Sequence, residues 1–252
     1  MQVETTQYIF PPRPQDSIPR SETQLFSDLG WFAQLKYNGS RCLIKYVPCT
    51  GVGSGMPDVE LWNRHGERFR SYTAPDWIKD QLLEVHSQLG LRADEVSILD
   101  GEMIDAKHKA LKDTIAIWDI LVADGEHLTG TTYAERYNRI FPTGNLNYTF
   151  NNNSGSFVFG TRFKNTEDIF TPVSQLAGSG GSGGSGMENW DNMWDMVHSV
   201  NAQYKTASGD VSPLLEGLVF KDPLGILAPG WKEKNNGDWM VRSRVKTGRH
   251  LF

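Results

Sequence analysis

Six short runs recur between residues 31 and 163, WFAQLK, RCLIKYV, DVELWNR, VSILDGEMI, TIAIWDILV and SFVFGTRF, each apolar or alternating and each bounded by turn residues. Runs of this length and pattern are strands, and short connections between them make the pairing mostly antiparallel. Helical patterns interrupt them. Ser21 with Gln24 reads as a capping box opening a short helix, and Thr132 with Glu135 repeats it for a helix through Ile140. Ile78, Leu82, Val85 and Leu89 before Gly90, and later Trp190, Trp194, Val197 and Val200, follow helical spacing and belong to the core. The mixture predicts an α+β fold of mostly antiparallel sheets with flanking helices and no regular βαβ alternation.

One stretch differs in kind. GSGGSGGSG, residues 178–186, has the composition of a flexible coil and reads as an engineered Gly/Ser linker replacing a mobile loop. Such a linker spans roughly 16 Å, so it can join neighbouring elements of one domain over residues 1–252.

No apolar run approaches the roughly 20 residues that cross a bilayer. The polar start MQVETTQ lacks the basic and apolar regions of a signal peptide, so an intracellular location, cytoplasmic or nuclear and not secreted, is expected, with no membrane partner. The two cysteines, Cys42 and Cys49, lack the spacing of a zinc site and read as reduced bystanders. A net charge of −5 argues against a uniformly basic surface, so local clusters carry the functional reading.

In QLKYNGSR, Asn38-Gly39 is a hairpin signal, with Lys36 leaving one strand and Arg41 entering the next. Alone, a solvated hairpin with two cations is the plainer reading. Partners exist elsewhere, however. Asp100 and Glu102 end one apolar strand, and Glu216 and Lys221 flank another; carboxylates so placed suit a ribose hydroxyl or a hard cation. Met240, Arg242, Arg244 and Lys246 share one face of a further strand by the period of two. That row fits either a charged edge strand or a phosphate-binding face, and Lys36, Arg41 and Lys221 tip the choice to phosphate.

In this order the blocks, from about residue 31 to 249, resemble the covalent nucleotidyltransferase family of ATP-dependent DNA ligases, RNA ligases and mRNA capping enzymes. KYNGSR is similar to the family's first motif, Lys-x-Asp-Gly-x-Arg, which implies that Lys36 is the nucleophile; Asn38 stands where most members have Asp. NRHG implies that Arg64 contacts the phosphate side of the nucleotide or a 5′-phosphate end. LDGEM implies a ribose contact for Glu102, and AIWDILVADGEHL implies a purine stack for Trp118. EGLVFK implies a metal-linked role for Glu216 and an α-phosphate contact for Lys221. The last motif aligns to Arg244 and Lys246, with Arg242 and Arg244 as the other register, and Gln34 takes a position that often touches the base edge.

The implied chemistry uses ATP and Mg2+. Crowding Lys36 with Arg41, Lys221, Arg244 and Lys246 is expected to disfavour its charged form, freeing an amine that takes up AMP and passes it to a nucleic-acid 5′-phosphate. An ATP-dependent DNA ligase is the first reading, since Arg41 and the spacing from Leu128 to Arg136 look ligase-like. An ATP-dependent RNA ligase comes second; a capping guanylyltransferase and a non-catalytic end-binding module follow. The expected fold is an ATP-grasp-like adenylation domain with no C-terminal OB domain, acting as a monomer on nicked duplex DNA or RNA. Lacking that domain, the chain is expected to adenylate itself slowly and to bind nicked DNA weakly.

Overall fold

The computed structural model describes residues 2–4, 7–49, 55–70, 72–104, 108, 114–140, 149–152, 155–158, 161–162, 176–177, 190–209 and 211–245. Lys246 and the Gly/Ser stretch at 178–186 lie outside the described residues.

The elements run β1 (Arg13–Ser17), α1 (Thr23–Asp28), β2 (Phe32–Tyr37), β3 (Ser40–Val47), β4 (Asp58–Trp62), α2 (Asp76–Gln88), β5 (Ser97–Ile104), β6 (Thr114–Ala123), β7 (Glu126–His127) and α3 (Tyr133–Ile140). They continue as β8 (Thr149–Asn152), β9 (Gly155–Val158), β10 (Thr161–Arg162), β11 (Leu176–Ala177), α4 (Trp190–Ser208), β12 (Leu215–Lys221) and β13 (Asn236–Arg244). The protein is α+β, with one sheet ordered β4-β3-β5-β6-β7 and another ordered β1-β13-β12-β2-β11. A small third sheet is ordered β10-β9-β8 and meets β6 through β10. Pairing is antiparallel except where β1 runs parallel to β13. The basic row on β13 is therefore not an edge strand, because β1 covers one side and β12 the other.

Each sheet carries its own apolar layer. Ile98 and Leu99 of β5 and Ile120, Leu121 and Val122 of β6 are buried with Ile78, Leu82 and Val85 of α2, the helical spacing seen in the sequence. Ala33 and Leu35 of β2 and Leu218 and Phe220 of β12 pack with Trp194, Val197 and Tyr204 of α4. Burying one such large side chain contributes about 1.5–3 kcal/mol, so these layers fix how each sheet meets its helices.

The Thr132–Glu135 capping box forms as read, with the Thr132 amide donating to Glu135 Oε2 at 2.7 Å and the Glu135 amide donating to Thr132 Oγ1 at 3.2 Å. Ser21 does not cap. It lies inside a 3-10 turn, Arg20–Glu22, whose N-cap position is Pro19, a residue with no side-chain oxygen to accept from the amides of the first turn.

The Asn38-Gly39 turn is not a hairpin either. β2 pairs with β12 in one sheet and β3 pairs with β4 and β5 in the other, so the chain passes between sheets at this corner. Neither Asn38 nor Gly39 has the positive φ of a hairpin turn. Glycine is required for closeness: a Cβ at Gly39 would sit 2.3 Å from the Met103 carbonyl oxygen and 2.9 Å from Glu102 Cγ. Two residues that tolerate positive φ thus serve a tight crossing, a difference that local sequence cannot express.

Candidate active site

That crossing places β2 and β3 on opposite walls of a cleft of about 740 Å3 between the two large sheets. Gln34, Lys36, Arg41, Arg64, Glu102, Trp118, Glu216, Lys221 and Arg244 all line it, so every sequence candidate among the described residues faces one space.

Backbone irregularities aim the key groups. β2 and β12 slip register between Leu215 and Gly217, which leaves Glu216 as the extra residue of a bulge opposite Lys36. Gly217 makes this possible: its φ is +139°, and a Cβ there would lie 2.1 Å from the Ser243 carbonyl oxygen. The result is an ion pair between Lys36 Nζ and Glu216 Oε2, with Arg244 Nε 3.7 Å from the same oxygen. A second slip, between Asp100 and Gly101, leaves Trp118 as the extra residue on β6. Its indole N–H donates to Asp100 Oδ2 at 3.0 Å.

Arg41 grips both oxygens of Asp100 and donates to the Pro12 carbonyl at 3.0 Å, with its guanidinium 5.3 Å from the centre of the Trp118 ring. Burial pushes the Asp100 carboxyl up and Arg41 pulls it back; with a guanidinium on both oxygens and an indole N–H on one, the pair is ionic. Asp100 is thus the anchor of Arg41 rather than a group open to ribose or metal.

The structure corrects the expected crowding of Lys36 by Lys221. The group in contact with its amine is a carboxylate, and Lys221 pairs with Phe32, four residues along β12 from Gly217, the partner of Lys36. At about 3.3 Å per residue that is roughly 13 Å of strand. Lys221 is instead the desolvated lysine. It lies 4.3 Å from the centre of the Tyr133 ring, donates to the Tyr133 hydroxyl at 3.2 Å, and burial pulls its ammonium down to about 7.

Glu102 accepts the Gly39 amide at 3.0 Å, and burial pushes it up to about 7. The two shifts act in opposite windows. Between its ordinary 4.5 and about 7, Glu102 keeps a proton in the folded chain that the unfolded chain has released, so stability falls as pH rises. Between about 7 and 10.5, folded Lys221 has lost a proton that the unfolded chain keeps, so stability rises with pH. Urea midpoints across this range are expected to pass through a minimum near neutrality. Glu102→Gln removes the falling limb and Lys221→Met the rising one; limbs unchanged in those variants contradict this assignment.

Asn38, the departure from the family motif, has a local reason. Its Nδ2–H donates to the Pro213 carbonyl at 2.9 Å, its amide donates to Leu214 O at 2.9 Å, and His108 Nε2 lies 2.9 Å from its carbonyl. These contacts tie the Lys36 strand to the start of the Glu216 strand. An aspartate would place a carboxylate against the Pro213 carbonyl, so Asn38→Asp is expected to cost about 1–3 kcal/mol in chemical denaturation.

Sequence reasoning did not single out Arg13, Asp119 or Glu233, which also line the cleft. Asp119 carries a period signal within TIAIWDILV as a polar residue in an apolar strand, whereas nothing in PPRP marks Arg13.

No family model matches the chain, and no curated protein matches it. Among solved structures, the mycobacterial DNA ligase D complexed with ATP and MES is 17% identical, covering 96% of this chain and 62% of that one at a TM-score of 0.44. The ligase domain from M. tuberculosis LigD is 17% identical, covering 94% and 60% at 0.44, and a structure titled Pmar-Lig_PreS3 is 13% identical, covering 94% and 47% at 0.47. The chain therefore spans less than two thirds of the length of each.

Proposed function

We propose that this chain is the nucleotidyltransferase core of an ATP-dependent polynucleotide ligase, in the first instance a DNA ligase, in which Lys36 carries AMP to a nucleic-acid 5′-phosphate. The observation that supports this is the Lys36–Glu216 pair in a cleft that also gathers Gln34, Arg41, Arg64, Glu102, Trp118, Lys221 and Arg244.

An ammonium has no lone pair for phosphorus, and Glu216 touches Nζ, so it is placed to accept the proton as the amine closes on the α-phosphorus. A nitrogen–phosphorus bond forms, the bond from α-phosphorus to the bridging oxygen breaks, and pyrophosphate leaves with that electron pair. Arg244 offsets charge on the phosphates, Glu102 meets the ribose, and Trp118 and Gln34 hold the base. In the second step a 5′-phosphate oxygen, near Arg64, displaces Lys36 from the AMP phosphorus.

Mg2+ is held through one or two carboxylates plus substrate phosphates, and Glu216 fits that demand. No group of three or more metal-binding side chains forms a protein-only cage among the described residues. When bound, the ion supplies charge neutralisation at the phosphates.

The test is intact mass after incubation with ATP, GTP or NAD and magnesium. An AMP adduct on Lys36 from ATP is expected. A GMP adduct would move the reading to capping, and no adduct with any nucleotide would leave a binding module. Nicked DNA and nicked RNA, offered to the adenylated chain, then identify the strand joined.

A further inference from the structure

We propose that Tyr133 is a positioning residue of the cleft, one that keeps the Lys221 ammonium charged and in place and so sets how tightly the cleft grips a nucleotide as pH rises. The inference deepens the function proposed above and rests on it for the ligand. None of the motifs that carry the family resemblance includes Tyr133.

Lys221 lines the cleft yet is only 4% exposed, and its partners on the neighbouring strands, Phe32 of β2 and Met240 of β13, are apolar. A lysine so placed gives up its charge unless something takes the place of water. Tyr133 does so twice: its ring centre lies 4.3 Å from Nζ, and its hydroxyl accepts an N–H at 3.2 Å. The hydroxyl spends its own proton on the Trp118 carbonyl at 3.4 Å, which leaves its lone pairs to the ammonium. Burial holds the phenol well above its ordinary range, so it stays a neutral hydroxyl.

The other groups acting on Lys221 oppose one another. Asp119 of β6 and Asp100 of β5 favour its charge, and Arg41 of β3 and Arg136 of α3 disfavour it; these four are paired among themselves, Asp119 with Arg136 and Asp100 with Arg41. Tyr133 touches the amine directly. It is also fixed: its amide donates to the Gly225 carbonyl at 2.8 Å and the Ala134 amide to the Pro223 carbonyl at 2.9 Å, which docks the start of α3 on the loop that follows Lys221. Trp239 stacks on the tyrosine with ring centres 5.8 Å apart. An ammonium has three donors, and the one given to Tyr133 leaves two for phosphate oxygens. Burial still pulls Lys221 down to about 7, so its charge fades as pH rises through neutrality.

Calorimetric titration of the full chain with ATP, without divalent metal, from pH 5.5 to 8.5 tests this. Tyr133→Phe keeps the ring and removes the acceptor. It is expected to weaken binding about tenfold at pH 8.5 and less than about twofold at pH 5.5, as when the lysine titrates about one unit lower. A purely structural loss would weaken binding by one factor at every pH. Glu102 titrates in the same window, but wild type and variant share it and it cancels in their ratio. On a Lys221→Met background the pH-dependent effect of Tyr133→Phe should vanish. Equal weakening at both pH values, or a pH-dependent effect that persists without Lys221, would overturn the proposal. The ratio of wild-type to Lys221→Met affinity needs no tyrosine variant to fold; it should fall about tenfold or more from pH 5.5 to 8.5, and a constant ratio would also overturn the proposal. Binding needs no transfer to Lys36. A chain that grips ATP in this pH-dependent way yet forms no adduct would sink the ligase reading and leave the role of Tyr133 standing.

Discussion

Lys36→Ala is expected to abolish nucleotide uptake, lowering adduct formation at least about a thousandfold, because alanine has no amine for the proposed attack on phosphorus. Lys36→Arg sharpens the result. It keeps a cation beside Glu216, and with it the ion pair in the cleft, but a guanidinium is not a nucleophile at neutral pH. Both variants should retain the wild-type fold, since the pair is partly exposed, with side-chain accessibilities of 21% and 31%, and contributes little to stability. Loss of the adduct in both, with nucleotide still bound by the arginine variant, separates chemistry from binding. An adduct that persists in either places the nucleophile elsewhere, and Lys221, the desolvated amine in the same cleft, would then be the residue to examine.

How far the sequence announces this site varies from residue to residue. Lys36, Glu102 and Glu216 stand out because each is a charged residue in or at the end of an apolar strand close to a glycine, whereas Trp118 is marked only by the resemblance of its block, and all four do reach one cleft. Their partners do not stand out. Lys36 meets Glu216 only because a one-residue slip turns Glu216 toward it, and register slips depend on strands far apart in the chain. Asn38-Gly39 misleads for the same reason: a dipeptide reports the conformations it tolerates, while Met103 and Glu102, more than sixty residues away, decide which one is used. Lys221 looks like one more phosphate cation in sequence, but its distance from Lys36 along β12 and its burial under Tyr133 are tertiary facts. Arg13 gives no signal, since β1 joins the sheet by parallel pairing to a strand at the other end of the chain.

Asp119→Ala is expected to be the most destabilising single change on the cleft floor, at about 3–5 kcal/mol. Asp119 and Arg136 form a two-pronged pair at 2.9 and 3.2 Å with side-chain accessibilities of 2% and 0%, and the Ile120 amide donates to the same carboxylate at 2.9 Å. Arg136 is further held by the Thr131 carbonyl at 2.8 Å and lies 5.6 and 5.4 Å from the ring centres of Tyr133 and Trp239. Removing the carboxylate leaves a guanidinium buried between aromatic rings with one carbonyl partner. Against a typical total of about 5–15 kcal/mol, the loss is a large share of the stability, and thermal denaturation should show it as a fall of roughly 6–20 °C. The double variant Asp119→Ala, Arg136→Met should recover part of that, because it removes the stranded charge as well; additive losses would mean that the pair itself, rather than an uncompensated cation, sets the cost. The consequence reaches the site, because Asp119 is the first among the charges that keep Lys221 protonated against burial. In the Asp119 variant, titration of Lys221 should therefore move further down, and any step of the proposed reaction that needs its positive charge should weaken at neutral pH before the fold gives way.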